Sequence, residues 1–487
     1  MKNRKKVIII GGGLGGLATA INLSKSEFEI TIIEKNSNLG GKMNIFKKDG
    51  FTFDTGPSLI TLPHIFENLF QEVDENIYDH LKFIKLNPLF LYMFEKEKIR
   101  YSSNLNDLEK IFNYHNNEID KFYELISKGS KLFQLSEKTF FKKGLFSKPN
   151  ISDLLHLLST PFQLFFKNYS QIIEKSFSDE KVRKILNRYP TYVGSSPYKS
   201  SGILSVIPYM ELSYGAWYIS GGLYKLIEKI EKIIVSKNIN IIKDTKVSRI
   251  NHVNKEVQSV TLSNGENLEC DIIISNVDPL VTKTMINKNL KIKEKSLSMS
   301  GLVLLVGLDE KVPEILHHNV IFSKNYKKEF HEIFNDKKFP SDPTVYINCP
   351  SKSDKSLAPS GSESIFLMCN TPATSKNWGE EEIKDAISKI RTTLKKHKLE
   401  KIIDNSKFLE IITPNDFEKK FAAPYGSIYG KVSHGVLGSI IRHPNKDKKI
   451  KGLYYVGGGV HPGGGTPIVV MSSKIVSNEI INKYTKK

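Results

Sequence analysis

Three glycines and one carboxylate form the most chemically specific pattern in the chain. Gly11, Gly13 and Gly16 follow the apolar run Val7-Ile8-Ile9-Ile10, and Glu34 closes a second apolar run, Ile30-Thr31-Ile32-Ile33. Such a glycine turn brings backbone N–H groups up to a pyrophosphate and packs the next helix on the sheet, while a carboxylate about twenty residues later accepts from ribose hydroxyls. Unpaired N–H groups and the positive dipole end at the helix start favour phosphate further. A glycine-rich turn also serves as a plain strand-to-helix connection. Here the β-branched strand before it, the helical pattern of residues 17–26 after it and the spacing to Glu34 select the dinucleotide reading, with Leu14 and Lys35 as further contacts.

A second glycine-rich loop lies at the opposite end of the chain. Gly457-Gly458-Gly459-Val460-His461-Pro462-Gly463-Gly464-Gly465-Thr466-Pro467 separates a short apolar strand from a helical stretch running from Ile468 to Asn482. Nicotinamide dehydrogenases and flavoproteins share the first unit, so the second loop discriminates. A flavin nucleotide is long, and a backbone-lined helix N-terminus at Gly463 to Ile468 suits its ribityl chain and pyrimidine edge. The pair of loops predicts FAD; the alternative for the second loop is a tight turn without a ligand.

Holding both loops on one ligand requires the chain ends to meet. With 487 residues the chain exceeds what one core supports. The expected class is α/β: a Rossmann-like FAD-binding domain, a mixed β-sheet substrate domain and an inserted helical, membrane-associating subdomain. The discontinuous FAD-binding domain is placed at 1–80, 215–290 and 420–487. The substrate domain takes 81–103, 204–214 and 291–419, and the helical subdomain 104–203. Within them, residues 89–101 read as two strands, Val247 to Leu262 as one β run ending at Asn264-Gly265, and Asp271 to Asn276 as a buried strand. Strands are also expected at Leu302 to Leu308, Thr344 to Cys349 and Ile365 to Met368, and a helix at 380–397.

Composition narrows the partners. A formal net charge of +19 calls for one, but the lysines are spread along the chain rather than interleaved with aromatics, which argues against nucleic acid. An anionic membrane surface fits, as does a lysine-rich solvated surface without a partner. Residues 151–173 are rich in Leu and Phe. They read either as a core helix pair broken at Pro161 or as an interfacial doorway with Phe162, Phe165 and Phe166 in lipid and Lys142, Lys143, Lys148 and Lys167 near the headgroups. Cys270, Cys349 and Cys369 lack disulfide or metal spacing, so no metal is expected. Lys2 to Lys6 and the following apolar run resemble a secretory signal, yet cleavage there would destroy the fingerprint. No later stretch offers about twenty continuous apolar residues. The expectation is a peripheral protein on the cytoplasmic side of a membrane.

Several motifs together resemble the bacterial phytoene desaturase family, the FAD-dependent carotenoid desaturases with the related diapophytoene desaturases and diapocarotenoid oxygenases. They are Gly40-Gly41-Lys42, Phe53-Asp54-Thr55-Gly56-Pro57-Ser58, Trp217-Tyr218 with Gly221-Gly222-Leu223-Tyr224, Asp271 to Asn276, His317-His318-Asn319 and Val456 to Gly465. The resemblance runs nearly end to end. It implies FAD contacts at Gly11, Gly13, Gly16 and Lys42 through the pyrophosphate, Glu34 through the ribose and Val247 beside the adenine. Gly41 would be a further cofactor contact, and Gly56, Pro57, Ser58, Gly457, Gly458, Gly464, Gly465, Thr466 and Pro467 would hold the flavin head. One departure stands out: tails of the amine-oxidase type carry an acidic residue where Gly458 stands, which weakens an amine oxidase reading.

The implied chemistry removes two hydrogens across a C–C bond of a long-chain isoprenoid, phytoene or diapophytoene: a hydride passes from an allylic carbon to flavin and a proton leaves the neighbouring carbon, with quinone or oxygen as the final electron acceptor. Positioning matters more in such a step than a strong base. Candidate polar groups for an apolar tunnel are Glu211, Tyr214, Arg188, Tyr189 and Tyr192, and His317, His318 and His461 lie in family-like motifs. Two alternatives stay open: an oxygenase forming terminal aldehydes on a carotenoid, and a non-enzymatic prenyl-lipid binding protein.

Overall fold

The computed structural model describes residues 4–141, 164 and 167–485. Its first layer is a five-stranded parallel sheet in the order 453–455, 272–275, 5–10, 28–33, 240–242. Parallel strands are covered on both faces and read as continuous β-branched runs. Val7-Ile8-Ile9-Ile10 and Ile272-Ile273-Ile274 do so, and all seven are buried. Helix Leu14–Leu23 covers one face and starts earlier than residue 17, directly on the glycine turn. The last helix, Thr466–Tyr484, packs against it and ties the chain ends, with Asn22 Nδ2 donating to Ser473 Oγ at 3.1 Å.

The second layer is a seven-stranded mixed sheet ordered 406–412, 300–308, 363–371, 345–348, 318–321, 90–94, 97–101. Its one parallel pair joins 318–321 to 90–94. Strand Ser300–Leu308 is buried throughout, and its faces alternate with period two. Leu302, Leu304, Val306 and Leu308 pack in one core under helix Glu380–Lys395, whereas Val303 and Leu305 face Phe51 and Phe53 in another. A third wall is helical: Ile119–Lys138 crosses Val206–Tyr214, and Gly129 permits the close approach, since a Cβ there would lie 2.5 Å from Ser205 O.

One expected β run is two strands. Val247–Val253 and Glu256–Leu262 form a hairpin closed by Asn254 and Lys255, both at positive φ, and Asn267–Glu269 adds a third strand. Asn at positive φ is a turn signal that outweighs the unbroken β pattern around it. The proposed doorway residues Phe162, Phe165 and Phe166, with Lys142, Lys143 and Lys148, lie outside the described residues. Among those described, Tyr169–Ser176 forms a helix with Tyr169 and Ile173 buried. No described helix is long and apolar enough to cross a membrane.

Candidate functional site

Strand Lys5–Ile10 ends in a turn that only glycine accommodates. Gly11 has φ +94°, and a Cβ on Gly16 would fall 2.3 Å from Gly11 O. The helix that follows begins at Leu14 with no side-chain cap, so its first N–H groups are left for a ligand. Glu34 is buried beside them, accepting from Gly12 N–H at 2.8 Å and from Asn36 N–H at 2.9 Å and Nδ2 at 2.8 Å. These contacts fix the carboxylate at the cleft, with Gly11, Gly13, Leu14 and Lys35 in the same wall.

The cleft holds about 750 Å³ and runs from Glu34 and Val247 to Gly56 and the C-terminal glycine loop. Gly41, Lys42, Pro57, Gly457, Gly458, Gly464, Gly465 and Thr466 line it as well. Gly16 does not: it acts in helix packing. Ser58 and Pro467 line the neighbouring cavity instead. Asn276, at the carboxyl end of strand Ile272–Ser275 and of the motif Asp271 to Asn276, is a wall residue to which the sequence assigned no contact. Its amide limits Gly13 and Gly15, where a Cβ would come within 2.6 Å of Nδ2 and 2.5 Å of Oδ1. Topology supplies the signal, because ligands of open α/β sheets sit outside the carboxyl ends of adjacent strands.

Cation chemistry in the cleft fits an anionic ligand. Lys42 is half-buried with Nζ donating to Ile428 O, and desolvation pushes its ammonium down to about 8 despite the Asp278 carboxylate nearby. Asp278 is itself held above the usual carboxylate range by burial, and caps helix Pro279–Ile286 through Leu280 N–H at 2.8 Å. A dinucleotide pyrophosphate would meet a glycine cradle, an uncapped helix start and a half-buried cation here. The residues fit FAD.

A second cavity of about 490 Å³ adjoins the cleft, and Gly56, Pro57, Tyr429, Gly464, Gly465 and Thr466 line both. Much of its lining is apolar, with Leu204, Ile207 and Met210 beside Leu132 and Leu135 in the helical wall. Helix Thr466–Tyr484 starts where the two spaces meet, with no side-chain cap. A flavin head in that position would face an apolar tunnel.

The sequence candidates separate clearly. Glu211, Arg188 and Tyr192 line the tunnel. Glu211, 1% exposed, accepts from Tyr189 Oη at 2.9 Å and Tyr192 Oη at 2.5 Å, and Arg188 Nη2 stands 3.8 Å from its Oε1. Arg188 also donates to Tyr92 Oη at 2.9 Å and stacks 4.1 Å from the Phe90 ring centroid. Both oxygens of Glu211 are thus occupied. Tyr214 lies outside the tunnel wall, packed on His64, Phe133 and Tyr209. His461 lies outside it too: its Nε2 bonds Phe140 O at 2.7 Å and its ring sits edge-on to Phe140. Aromatic neighbours pack against both side chains. His317 and His318 are buried, which pushes their imidazoles down, to about 3 for His317. His318 Nδ1 bonds Tyr346 Oη at 2.7 Å, and Tyr346 donates to Ser58 Oγ at 2.7 Å. Arg442, unnoticed in the sequence, lines the tunnel beside the glycine loop.

Comparison with known proteins adds family and relatives to this geometry. The profile of the flavin containing amine oxidoreductases matches residues 14–481. A 1-hydroxycarotenoid 3,4-desaturase of Flavobacterium sp. (strain P99-3) is 36% identical, covering 98% of this chain and 99% of the relative. A 4,4'-diapolycopene oxygenase of Methylomonas sp. is 33% identical, covering 98% of each. Among solved structures, an oxidoreductase from Methanosarcina mazei superposes with a TM-score of 0.64 at 17% identity over 97% of this chain and 100% of its own, a likeness of fold.

Proposed function

Because the chain belongs to the flavin containing amine oxidoreductase family and is an FAD-dependent oxidoreductase, we propose that it desaturates an acyclic carotenoid precursor of the phytoene or diapophytoene type. The observation that carries this reading is the meeting of the two cavities at Gly56-Pro57 and Gly464 to Thr466. A charged or peptide substrate would find few partners along Leu204, Ile207 and Met210, whereas a polyene suits such a wall. The names of the full-length relatives support the same substrate class.

Bound FAD supplies a two-electron acceptor for hydride. The chain supplies placement. Gly11, Gly13 and the first turn of helix Leu14–Leu23 take the pyrophosphate with Lys42, and Glu34 takes the adenosine ribose. The apolar walls exclude water and hold an allylic carbon in register with its neighbour, and orientation of that kind lowers a barrier without a strong base. Glu211 orders the tunnel through Tyr189, Tyr192 and Arg188, and with both oxygens engaged it is a positioning residue. Quinone or oxygen closes the cycle, and the substrate reaches the tunnel from a membrane on which the protein sits as a peripheral enzyme.

A second reading, oxygenation of a terminal methyl to an aldehyde, is favoured by polar groups in the tunnel wall near the glycine loop, Arg442 above all. Expression in cells that supply phytoene or diapophytoene, followed by pigment extraction, tests the choice. New conjugation from a colourless precursor is the expected result. An unchanged chromophore length with new carbonyl groups would transfer the assignment to oxygenation, and unchanged pigments would remove the carotenoid reading.

A further inference from the structure

We propose that Arg442 and Ser433 form a polar subsite in the tunnel wall that takes an oxygen at or near the end of the substrate chain. The proposal rests on the carotenoid reading and adds a preference to it: the site accepts the bare hydrocarbon chain but binds more tightly an acyclic chain that carries a terminal hydroxyl or carbonyl.

Both residues belong to segment 431–442, folded around the short helix Gly435–Ile440, and both line the tunnel. Arg442 is 5% exposed. A guanidinium has five N–H donors, and burial without acceptors leaves each one costly. Among the described residues, one bond is made: Nη1 donates to Lys431 O at 2.6 Å. Burial pushes the group down to about 10, with the Asp278 carboxylate opposing. Ser433 is 2% exposed, and its Oγ is buried with no hydrogen-bond partner. Its neighbour Ser439 is already engaged with Gly435 O at 2.8 Å and Ser433 O at 3.1 Å.

An orphaned hydroxyl and an underused guanidinium in one apolar wall both offer donors. The chemistry they select is an acceptor oxygen on an otherwise apolar molecule, because a hydrocarbon leaves them unpaired. Place matters as much as type. A Cβ on Gly463 would lie 3.9 Å from Arg442 Nε, so the guanidinium stands against the loop where the two cavities meet. The oxygen it holds is therefore close to the carbons that react. Either an end-group hydroxyl a few bonds from a new double bond or a terminal carbonyl satisfies that position.

FAD-loaded protein in detergent micelles is titrated with an acyclic thirty-carbon polyene bearing terminal aldehydes and with the matching hydrocarbon, binding being read from the polyene absorption band. Wild type is expected to bind the aldehyde about tenfold to a hundredfold more tightly, the ratio a hydrogen bond to a charged donor gives. Arg442→Met erases the preference with FAD content unchanged, Arg442→Lys restores part of it, and Ser433→Ala lowers it several-fold. Equal binding of the two polyenes by wild type, or a preference retained in Arg442→Met, overturns the subsite and leaves the carotenoid reading standing. Binding of neither polyene overturns both. Should Arg442→Met not fold, a full preference in Ser433→Ala overturns the proposal.

Discussion

Replacing Lys42 with Gln separates the electrostatic cost of the cleft from its use. Depression of Lys42 from its ordinary 10.5 to about 8 corresponds to roughly 3 kcal/mol against keeping the charge in the apoprotein. Lys42→Gln removes that charge, so apoprotein at pH 7 is expected to gain stability by up to roughly 3 kcal/mol. FAD binding moves the other way. A charge-assisted bond to phosphate contributes about 1.5–3 kcal/mol, so the dissociation constant rises about tenfold to a hundredfold. The pH dependence has a definite sign. Folded Lys42 releases its proton near pH 8 and the unfolded lysine only near 10.5, so the unfolded state binds more protons between these values and apoprotein stability rises across them. FAD affinity is full below about pH 8 and falls above it, by up to tenfold per pH unit. Titration of apoprotein with FAD at several pH values, beside chemical denaturation, measures both. Wild-type affinity in Lys42→Gln, or a pH profile as steep as that of wild type, would refute the assignment of Lys42 to an anion.

Gly16→Ala drives a Cβ to 2.3 Å from Gly11 O, and is expected to lower stability by about 1–3 kcal/mol and abolish FAD retention in gel filtration. Glu211→Gln leaves the Arg188 guanidinium without its counter-charge, costing about 3–5 kcal/mol in chemical denaturation. The apolar pair Arg188→Met with Glu211→Leu recovers most of that loss, and failure to recover it would mean that the tyrosine hydrogen bonds dominate. Ile207→Trp fills part of the 490 Å³ tunnel and is expected to stop pigment conversion while FAD content, read from visible absorbance, is unchanged. Triple replacement of Phe162, Phe165 and Phe166 by Ser is expected to weaken liposome sedimentation with FAD content intact; undiminished sedimentation would remove the doorway.

Legibility in the sequence followed how local the determinants are. Gly11, Gly13, Leu14 and Glu34 act within one strand-turn-helix-strand unit, so spacing alone placed them at the cleft. The meeting of Gly464 and Gly465 with Gly56 is long-range, yet two glycine loops needing one ligand pointed to it. Asn276 was legible only as the end of a strand motif, and Asp278 and Arg442 were not legible as site residues, because their roles depend on packing: Asn276 on Gly13 and Gly457, Asp278 on Lys42, Arg442 on Lys431 and the loop at Gly463. Tyr214 and His461 differ in the other direction: their residue types suit proton chemistry, but they pack against Phe133 and Phe140 and do not line the tunnel. Boundaries moved for similar reasons. Asn254 at positive φ cut a continuous β pattern, and the glycine turns let helices begin at Leu14 and Thr466, before the first strongly periodic residues.

Hydride transfer from a polyene to flavin is observed directly by anaerobic mixing. Purified FAD-loaded protein is combined with phytoene or diapophytoene in liposomes, and the oxidised-flavin band is followed together with the polyene spectrum. Bleaching of the flavin is expected, matched mole for mole by substrate with one more conjugated double bond, with return of the band when quinone or oxygen is added. A flavin band that stays oxidised while the lipid substrate is present, or bleaches without any change in the polyene, would contradict hydride transfer.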